Sequence, residues 1–253
     1  MLKGVPQGSI LGPLLFNIFM NDLFFFLGEQ CTLYNYADDN NIGFSHRDLN
    51  FVLQRLSRCA AVAINWFGVN EMEANASKFQ GMIKVYGNTV APQKIKVMNE
   101  EIDFSKEITL LGVDIDTGLT FDSHVSKICR RSGFALRALE RISKHLSNNS
   151  KLYVYNAFIA SHFSYCNIVW HFTSIQNIIK MERINKRALR IIFNDDESTY
   201  PQLLEKAGLK DLYTTRIDAI ALEMFKTDKK INPAFLHNLF INQDHKYDLR
   251  NFV

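Results

Sequence analysis

The sequence predicts an α+β chain in two parts: a β-hairpin and small antiparallel sheet with helices over residues 1–116, then an all-helical remainder over residues 117–253. Three observations point to it. Short β-prone runs separated by turn residues occur only before Asp116. Apolar residues recur at a 3.6 period in residues 48–69, and the pattern is helical again from Phe121 onward. The composition, 47% hydrophobic and 22% charged over 253 residues, is that of an ordinary globular protein with length for one large domain or two small ones.

Taken in order, the opening MLKGVPQG holds two glycines and a proline before Ser9 and reads as a tight loop leading into a helix of about residues 10–27. Gly12-Pro13 suits a helix entrance, because proline is tolerated in the first turn. Behind Lys3 this stretch is apolar enough to score as a signal peptide or membrane anchor. Asn17, Asn21 and Asp22 fall inside it, however, and an Asp near a transmembrane centre costs roughly 2.5–3.5 kcal/mol. The expectation is a buried amphipathic core helix, with no signal peptide, no membrane partner and an intracellular location in nucleus or cytoplasm.

Next, CTLYNYADDNNIGFSH reads as a hairpin, since Asp and Asn tolerate the conformations of a tight connection. Leu49, Val52, Leu53, Leu56, Ala60, Val62, Ala63 and Trp66 predict a helix over 48–69. GMIKVYG, KIKVMN, EEIDFS and EITLLGVDI read as short strands. Helices are then expected at about 122–146, 150–170, 174–193, 199–206 and 213–227, while the chain after Pro233 gives little signal.

The 29 Lys+Arg against 26 Asp+Glu leave a net charge of +3, too small to argue for a nucleic-acid partner by itself. Where the charges sit says more. At 100° per residue, Lys127, Arg130, Arg131, Arg137, Arg141 and Lys144 project into one arc of the 122–146 helix, while Val125, Ile128, Leu139, Ile142 and Leu146 project elsewhere. Lys180, Arg183, Lys186, Arg187 and Arg190 repeat the arrangement on the 174–193 helix. Such faces can neutralise nucleic-acid phosphates, although a basic face is often only solvated. Cys31, Cys59, Cys129 and Cys166 form no C-x-x-C pair and read as reduced, buried fillers. His162, Cys166 and His171 lack a fourth ligand at suitable spacing, so no metal site is expected there.

Asp38-Asp39 at a hairpin tip would alone be unremarkable, since acidic residues favour turns and solvent. Its context is more specific. Gly4-Val5-Pro6-Gln7-Gly8-Ser9 lies upstream, followed by Leu11-Gly12-Pro13-Leu14-Leu15-Phe16 and then by Tyr36-Ala37-Asp38-Asp39. This series is similar to the palm of reverse transcriptases, most of all those of non-LTR (LINE-like, jockey-like) retrotransposons. Asn75-Ala76-Ser77-Lys78 resembles the family's next palm motif, Leu110-Leu111-Gly112-Val113 its primer-grip strand, and Ser164-Tyr165-Cys166 through Trp170 and Arg187-Ala188-Leu189-Arg190 the helical segments after the polymerase core. The resemblance covers roughly residues 1–195.

The resemblance implies an RNA-directed DNA polymerase that uses two Mg²⁺ ions, deoxynucleoside triphosphates, an RNA template and a DNA primer. Residues 1–116 would be palm, and 117–253 helical thumb and C-terminal extension. Asp38 and Asp39 would be metal ligands, Asp38 the stronger candidate. Gly4, Pro6, Gln7 and Gly8 would face template and incoming nucleotide, and Lys78 would serve the departing pyrophosphate. Leu111 and Gly112 would grip the primer. Lys127, Arg130, Arg131, Arg137, Arg141, Lys180, Arg183 and Arg187 would hold nucleic acid.

The resembling enzymes use a further palm carboxylate and fingers that precede the GVPQGS loop. This sequence starts too late to contain them, so the expectation is a C-terminal polymerase fragment, inactive in isolation, with Met1 an internal methionine of a longer frame. The rival reading is a non-catalytic nucleic-acid-binding or vestigial retroelement protein. A viral RNA polymerase or group II intron maturase shares the palm, but the primer-grip and Ser164-Tyr165-Cys166 segments weigh against both.

Overall fold

The computed structural model describes residues 4–6, 8–87 and 89–238. The chain is α+β and divides into two compact units, residues 1–108 and 109–253.

In the first unit, Ser9 Oγ accepts the Gly12 amide at 3.0 Å, satisfying one of the free donors at the start of α1 (Gly12–Met20). A Cβ on Gly12 would stand 2.7 Å from that hydroxyl and 3.3 Å from the Pro6 carbonyl oxygen, so the loop folds this closely onto the helix only because residue 12 is glycine. α2 (Asp22–Leu27) follows after the single residue Asn21. The expected helix over 10–27 is therefore corrected in three ways. It starts later and is interrupted. It is also buried along one stripe only: Met20, Leu23 and Leu27 are enclosed, whereas Ile10, Leu14, Leu15, Ile18, Phe24, Phe25 and Phe26 are exposed. No helix among the described residues is long and apolar enough to cross a membrane.

β1 (Thr32–Tyr36) and β2 (Asp39–Gly43) form an antiparallel hairpin in which Leu33 faces Ile42. That pair packs on a cluster of Met20, Leu23, Leu27, Cys59, Ala63 and Trp66. The last three lie on α3 (Leu49–Val69), whose start is capped by Asp48 through the Asn50 amide at 2.9 Å. The buried positions 52, 59, 63 and 66 keep one face of α3 inward, as the period predicts. β3 (Lys94–Val97) and β4 (Glu100–Asp103) form a second hairpin that buries Ile95 and Val97. Residues 81–87, expected as a strand, contribute only an isolated bridge between Gly81 and Phe104.

The division between the units falls inside β5 (Glu107–Leu110), which forms a two-stranded sheet with β6 (Val113–Asp116). The single strand expected over EITLLGVDI is thus a hairpin. Helices follow: α4 (Asp122–Ile142), α5 (Asn148–Tyr155), a π-helical turn over Asn156–Ala160, α6 (Ser161–Ser164), α7 (Ile175–Phe193), α8 (Tyr200–Ala207), α9 (Leu212–Asp228) and α10 (Ala234–His237). α4 and α7 carry half of one core, contributing Val125, Ile128, Leu136, Leu139, Met181, Ala188, Leu189 and Ile192 around Trp170. Lys151, itself buried, donates to the Ile192 carbonyl at 3.0 Å and so caps the C-terminal end of α7.

The helix expected over 150–170 ends early. Ser161 and Ser164 hydroxyls donate to carbonyls four residues back, at 2.7 and 3.0 Å, a pattern that bends helices. The Tyr165 carbonyl is then taken by the buried Trp170 indole at 3.0 Å, and Cys166 adopts φ +47°. Cys166 is exposed and Cys31 and Cys129 are only half-buried, which corrects the expectation of four buried cysteines. Burial, aided by the neighbouring Cys59, pushes the Cys31 thiol up to about 12.

Candidate functional site

The β1–β2 connection is as short as a hairpin allows. Tyr36 pairs with Asp39, leaving Ala37 and Asp38 as the two turn residues, with Ala37 at φ +51°. Positive φ is uncommon for a residue with a side chain, and such positions cluster where geometry is functional. Asp39, directly across from Tyr36, lies on the face opposite the Leu33–Ile42 pair, away from the core. Asp38 and Asp39 are both exposed, and the Asn40 amide donates to the Asp38 carbonyl at 3.0 Å. Two adjacent acceptor-only carboxylates are therefore presented at a tip anchored by apolar packing at its base. Among the described residues no group of three or more His, Cys, Asp or Glu is placed to hold a metal ion.

Gly4 and Gly8 take φ +91° and +79° and are exposed, as is Pro6. Gln7 lies outside the described residues. Lys78 ends a 3₁₀ turn, Ala76–Lys78, whose entrance is capped by Asn75 Oδ1 accepting the Ser77 amide and hydroxyl at 3.1 and 2.7 Å. No hydrogen bond or ion pair among the described residues links Lys78 or the Gly4–Gly8 loop to Asp38 or Asp39.

Within the second unit, Leu111 and Gly112 are the turn of the β5–β6 hairpin, at φ +46° and +83°. Tyr165 Oη donates to the Leu111 carbonyl at 2.6 Å and so ties the tip to the chain after α6. On α4, Arg130, Arg131, Arg137 and Arg141 are exposed as the periodicity predicts, and Arg137 lies 4.7 Å over the Phe134 ring. Lys127 differs from them. Its ammonium donates to Asp114 Oδ1 at 2.7 Å, and that carboxylate is 4% exposed. The position that looks like one more cation of a surface stripe is thus the counter-ion of a buried acid. On α7, Lys180, Arg183 and Arg187 are exposed, and Arg187 pairs with Glu140 of α4 at 3.0 Å.

Glu140 was not singled out by sequence reasoning. Its role is legible only once α4 and α7 are seen side by side, because a pairing across two helices leaves no trace in the spacing of either. The same holds for Arg216, which is 1% exposed and lies 5.4 Å over the Trp170 ring.

Residues 1–115 match the family described as reverse transcriptase (RNA-dependent DNA polymerase), whose members use divalent metal ions and act on RNA, DNA and nucleotides. Residues 1–115 are thus similar to a reverse transcriptase segment, and the chain is similar to proteins described as RNA-directed DNA polymerases of transposons. The chain is 26% identical over 204 residues to "Probable RNA-directed DNA polymerase from transposon BS" of Drosophila melanogaster, an alignment covering 76% of this chain and 22% of that protein. It is also 26% identical over 201 residues to the corresponding protein from transposon X-element of the same organism, covering 75% of this chain and 21% of that protein. The chain thus spans about a fifth of the length of these relatives. No solved structure matches it.

Proposed function

We propose that the Asp38–Asp39 hairpin is the metal-holding tip of an RNA-directed DNA polymerase palm. The first unit and the β5–β6 hairpin supply part of that palm, and the helices from α4 onward act as a thumb that holds template and primer. The observation that carries this reading is the two-residue turn that sets Asp38 and Asp39 side by side, exposed, behind a GVPQGS loop and helix. Nucleotidyl transfer needs several carboxylates converging on a small volume, and a hairpin tip delivers two at once.

The donor set fits one side of a magnesium site: hard oxygen ligands, solvent-accessible, leaving the remaining coordination for waters and phosphates. Two such ions, when bound, activate the primer 3′ hydroxyl and neutralise the triphosphate. Asp38 and Asp39 hold and orient that charge. Gly4 and Gly8, which carry no side chain, let a template base and an incoming deoxynucleotide approach the backbone. Lys78 steadies or protonates the departing pyrophosphate. The Leu111–Gly112 turn, pinned by Tyr165, presents backbone to the primer. Arg130, Arg137 and Arg141 on α4, with Lys180 and Arg183 on α7, hold the phosphates of the duplex without reading its sequence.

The chemistry of the family draws on a third carboxylate, and the described residues hold none beside Asp38 and Asp39. Loss of one essential group of such a set commonly costs on the order of 10⁴-fold or more. The 253-residue polypeptide alone is therefore expected to give no measurable extension of a primer on RNA with magnesium. A longer polypeptide that adds fingers and an upstream palm strand bearing an acid is expected to extend it, and Asp38→Ala or Asp39→Ala to abolish that extension with folding intact. Full extension after both alanine changes would overturn the site assignment, and robust extension by the 253 residues alone would overturn the ligand count.

A further inference from the structure

α7 carries Arg183, Lys186, Arg187 and Arg190 at spacings of three, one and three residues. At 100° per residue these positions fall within an arc about 100° wide, and at 1.5 Å per residue they span about 10.5 Å. The structure shows what this stripe faces. The four cations line an open cleft of about 550 Å³ that is closed on its other sides by Glu140 and Ser143 at the end of α4 and by Ile191, Asn194 and Asp196. Four cations face two carboxylates, so the cleft is net positive.

Three features say what would fill it. Its lining residues are polar or charged apart from Ile191, whereas pockets for small organic ligands are mostly apolar. Three of its four cations are arginines, whose planar forks match phosphate oxygens in pairs. Its length corresponds to about three phosphates of one strand at 3.4 Å per step. Two further observations bear on what the cations can still bind. The buried Nε of Arg190 has no hydrogen-bond partner among the described residues. Arg187 is occupied by Glu140, whose two carboxylate oxygens lie 3.0 and 3.4 Å from one guanidinium nitrogen. A carboxylate there sits where a phosphate would, and both ends of the pair are about half exposed, 58% and 48%, so the pair can open at little cost.

We propose that this cleft between α4 and α7 seats about three consecutive phosphates of a nucleic-acid strand, and that Glu140 is the internal counter-ion the strand displaces from Arg187. The inference rests on the reading of the helical unit as nucleic-acid-binding and adds a location, a footprint and a competitor. Glu140 makes the seat self-limiting, because every strand must first compete with it.

The experiment is a fluorescence-anisotropy titration of the full chain with a labelled RNA–DNA hybrid across a range of salt concentrations. Glu140→Gln is expected to tighten binding several-fold, because it frees Arg187 without adding a charge. The pair Arg183→Gln/Arg190→Gln is expected to weaken binding at least tenfold at low salt and to lower the slope of log K against log salt by about two, near 0.9 per lost phosphate contact. Arg183→Gln/Lys186→Gln serves in its place if losing Arg190 unfolds the chain, as a thermal melt would reveal.

Hybrid binding that none of these changes alters would overturn the seat and leave the nucleic-acid reading standing. No binding of the hybrid, together with Arg183- and Arg190-dependent binding of inorganic polyphosphate, would keep an anion seat and overturn the nucleic-acid reading. Binding of neither would overturn both.

Discussion

Asp114 shares one carboxylate oxygen between Lys127 Nζ at 2.7 Å and Thr109 Oγ1 at 2.8 Å, and its backbone amide donates to His124 Nδ1 at 3.3 Å. Burial opposes ionisation of this carboxyl, yet the hydrogen bonds from Lys127 and Thr109 outweigh it and hold Asp114 below the usual carboxylate value. Burial conversely keeps His124 below its usual value, so the imidazole is neutral and can accept from that amide. A depressed carboxylate contributes stability that is fully present above its unfolded value near 3.9 and is lost as pH falls toward the folded one. Removing Lys127 leaves the buried Asp114 carboxylate with Thr109 but without its counter-ion, a kind of change that costs about 3–5 kcal/mol in a buried pair. Lys127→Met is therefore expected to destabilise the chain strongly in urea unfolding at pH 7. The gap from the unmodified chain should narrow below pH 4, as Asp114 protonates in both. The salt slope of nucleic-acid binding should not change. A lower slope with unaltered stability would return Lys127 to the surface stripe and remove the ion pair from this account.

The turn of the β5–β6 hairpin carries backbone strain at one of its two residues. Leu111 and Gly112 both have positive φ, the conformation of a two-residue turn that favours Asn followed by Gly. Glycine meets that demand at residue 112, but a leucine at residue 111 is strained. Leu111→Asn is expected to stabilise the chain by about 0.5–1 kcal/mol and Gly112→Ala to destabilise it by about 1 kcal/mol, both read from urea midpoints. If Leu111→Asn destabilised instead, contacts of the leucine would outweigh its backbone strain.

The same hairpin shows what a sequence can and cannot disclose. Long helices with one apolar face, α3, α4 and α7, are legible because a single period fixes both their existence and their inward side. The Asp38–Asp39 turn is legible because Asp and Asn punctuate a β-prone run. The break at Leu111–Gly112 is hidden because a β-prone run continues through a turn whose only signal is one glycine. The early end of α6 depends on Trp170 reaching back to the Tyr165 carbonyl, a tertiary contact no local pattern carries. The exposed apolar side of α1 and α2 is likewise invisible to periodicity, which reports that residues are apolar and not whether anything covers them.

At the scale of the whole chain, the two units differ in how much core each has. Among the described residues the second encloses sixteen buried apolar residues in one cluster and the first encloses six in its own. Local opening is cheapest where few apolar contacts are broken. Amide hydrogen exchange is therefore expected to be slowest in the middle of α4 and α7 and markedly faster in β1, β2, β3 and β4. Equal protection throughout would mean that the chain opens only as one cooperative body.

Mn²⁺ standing in for Mg²⁺ tests, without requiring catalysis, the proposal that Asp38 and Asp39 form a metal-holding tip. In NMR spectra of the isotope-labelled chain, paramagnetic broadening at the lowest Mn²⁺ concentrations is expected to fall first on the amides of Tyr36 to Asn41. It should vanish in the Asp38→Asn/Asp39→Asn variant while the rest of the spectrum stays folded. Broadening that begins at other acidic positions, such as Glu100 to Asp103 or Asp195 to Glu197, and spares the hairpin tip would contradict the assignment.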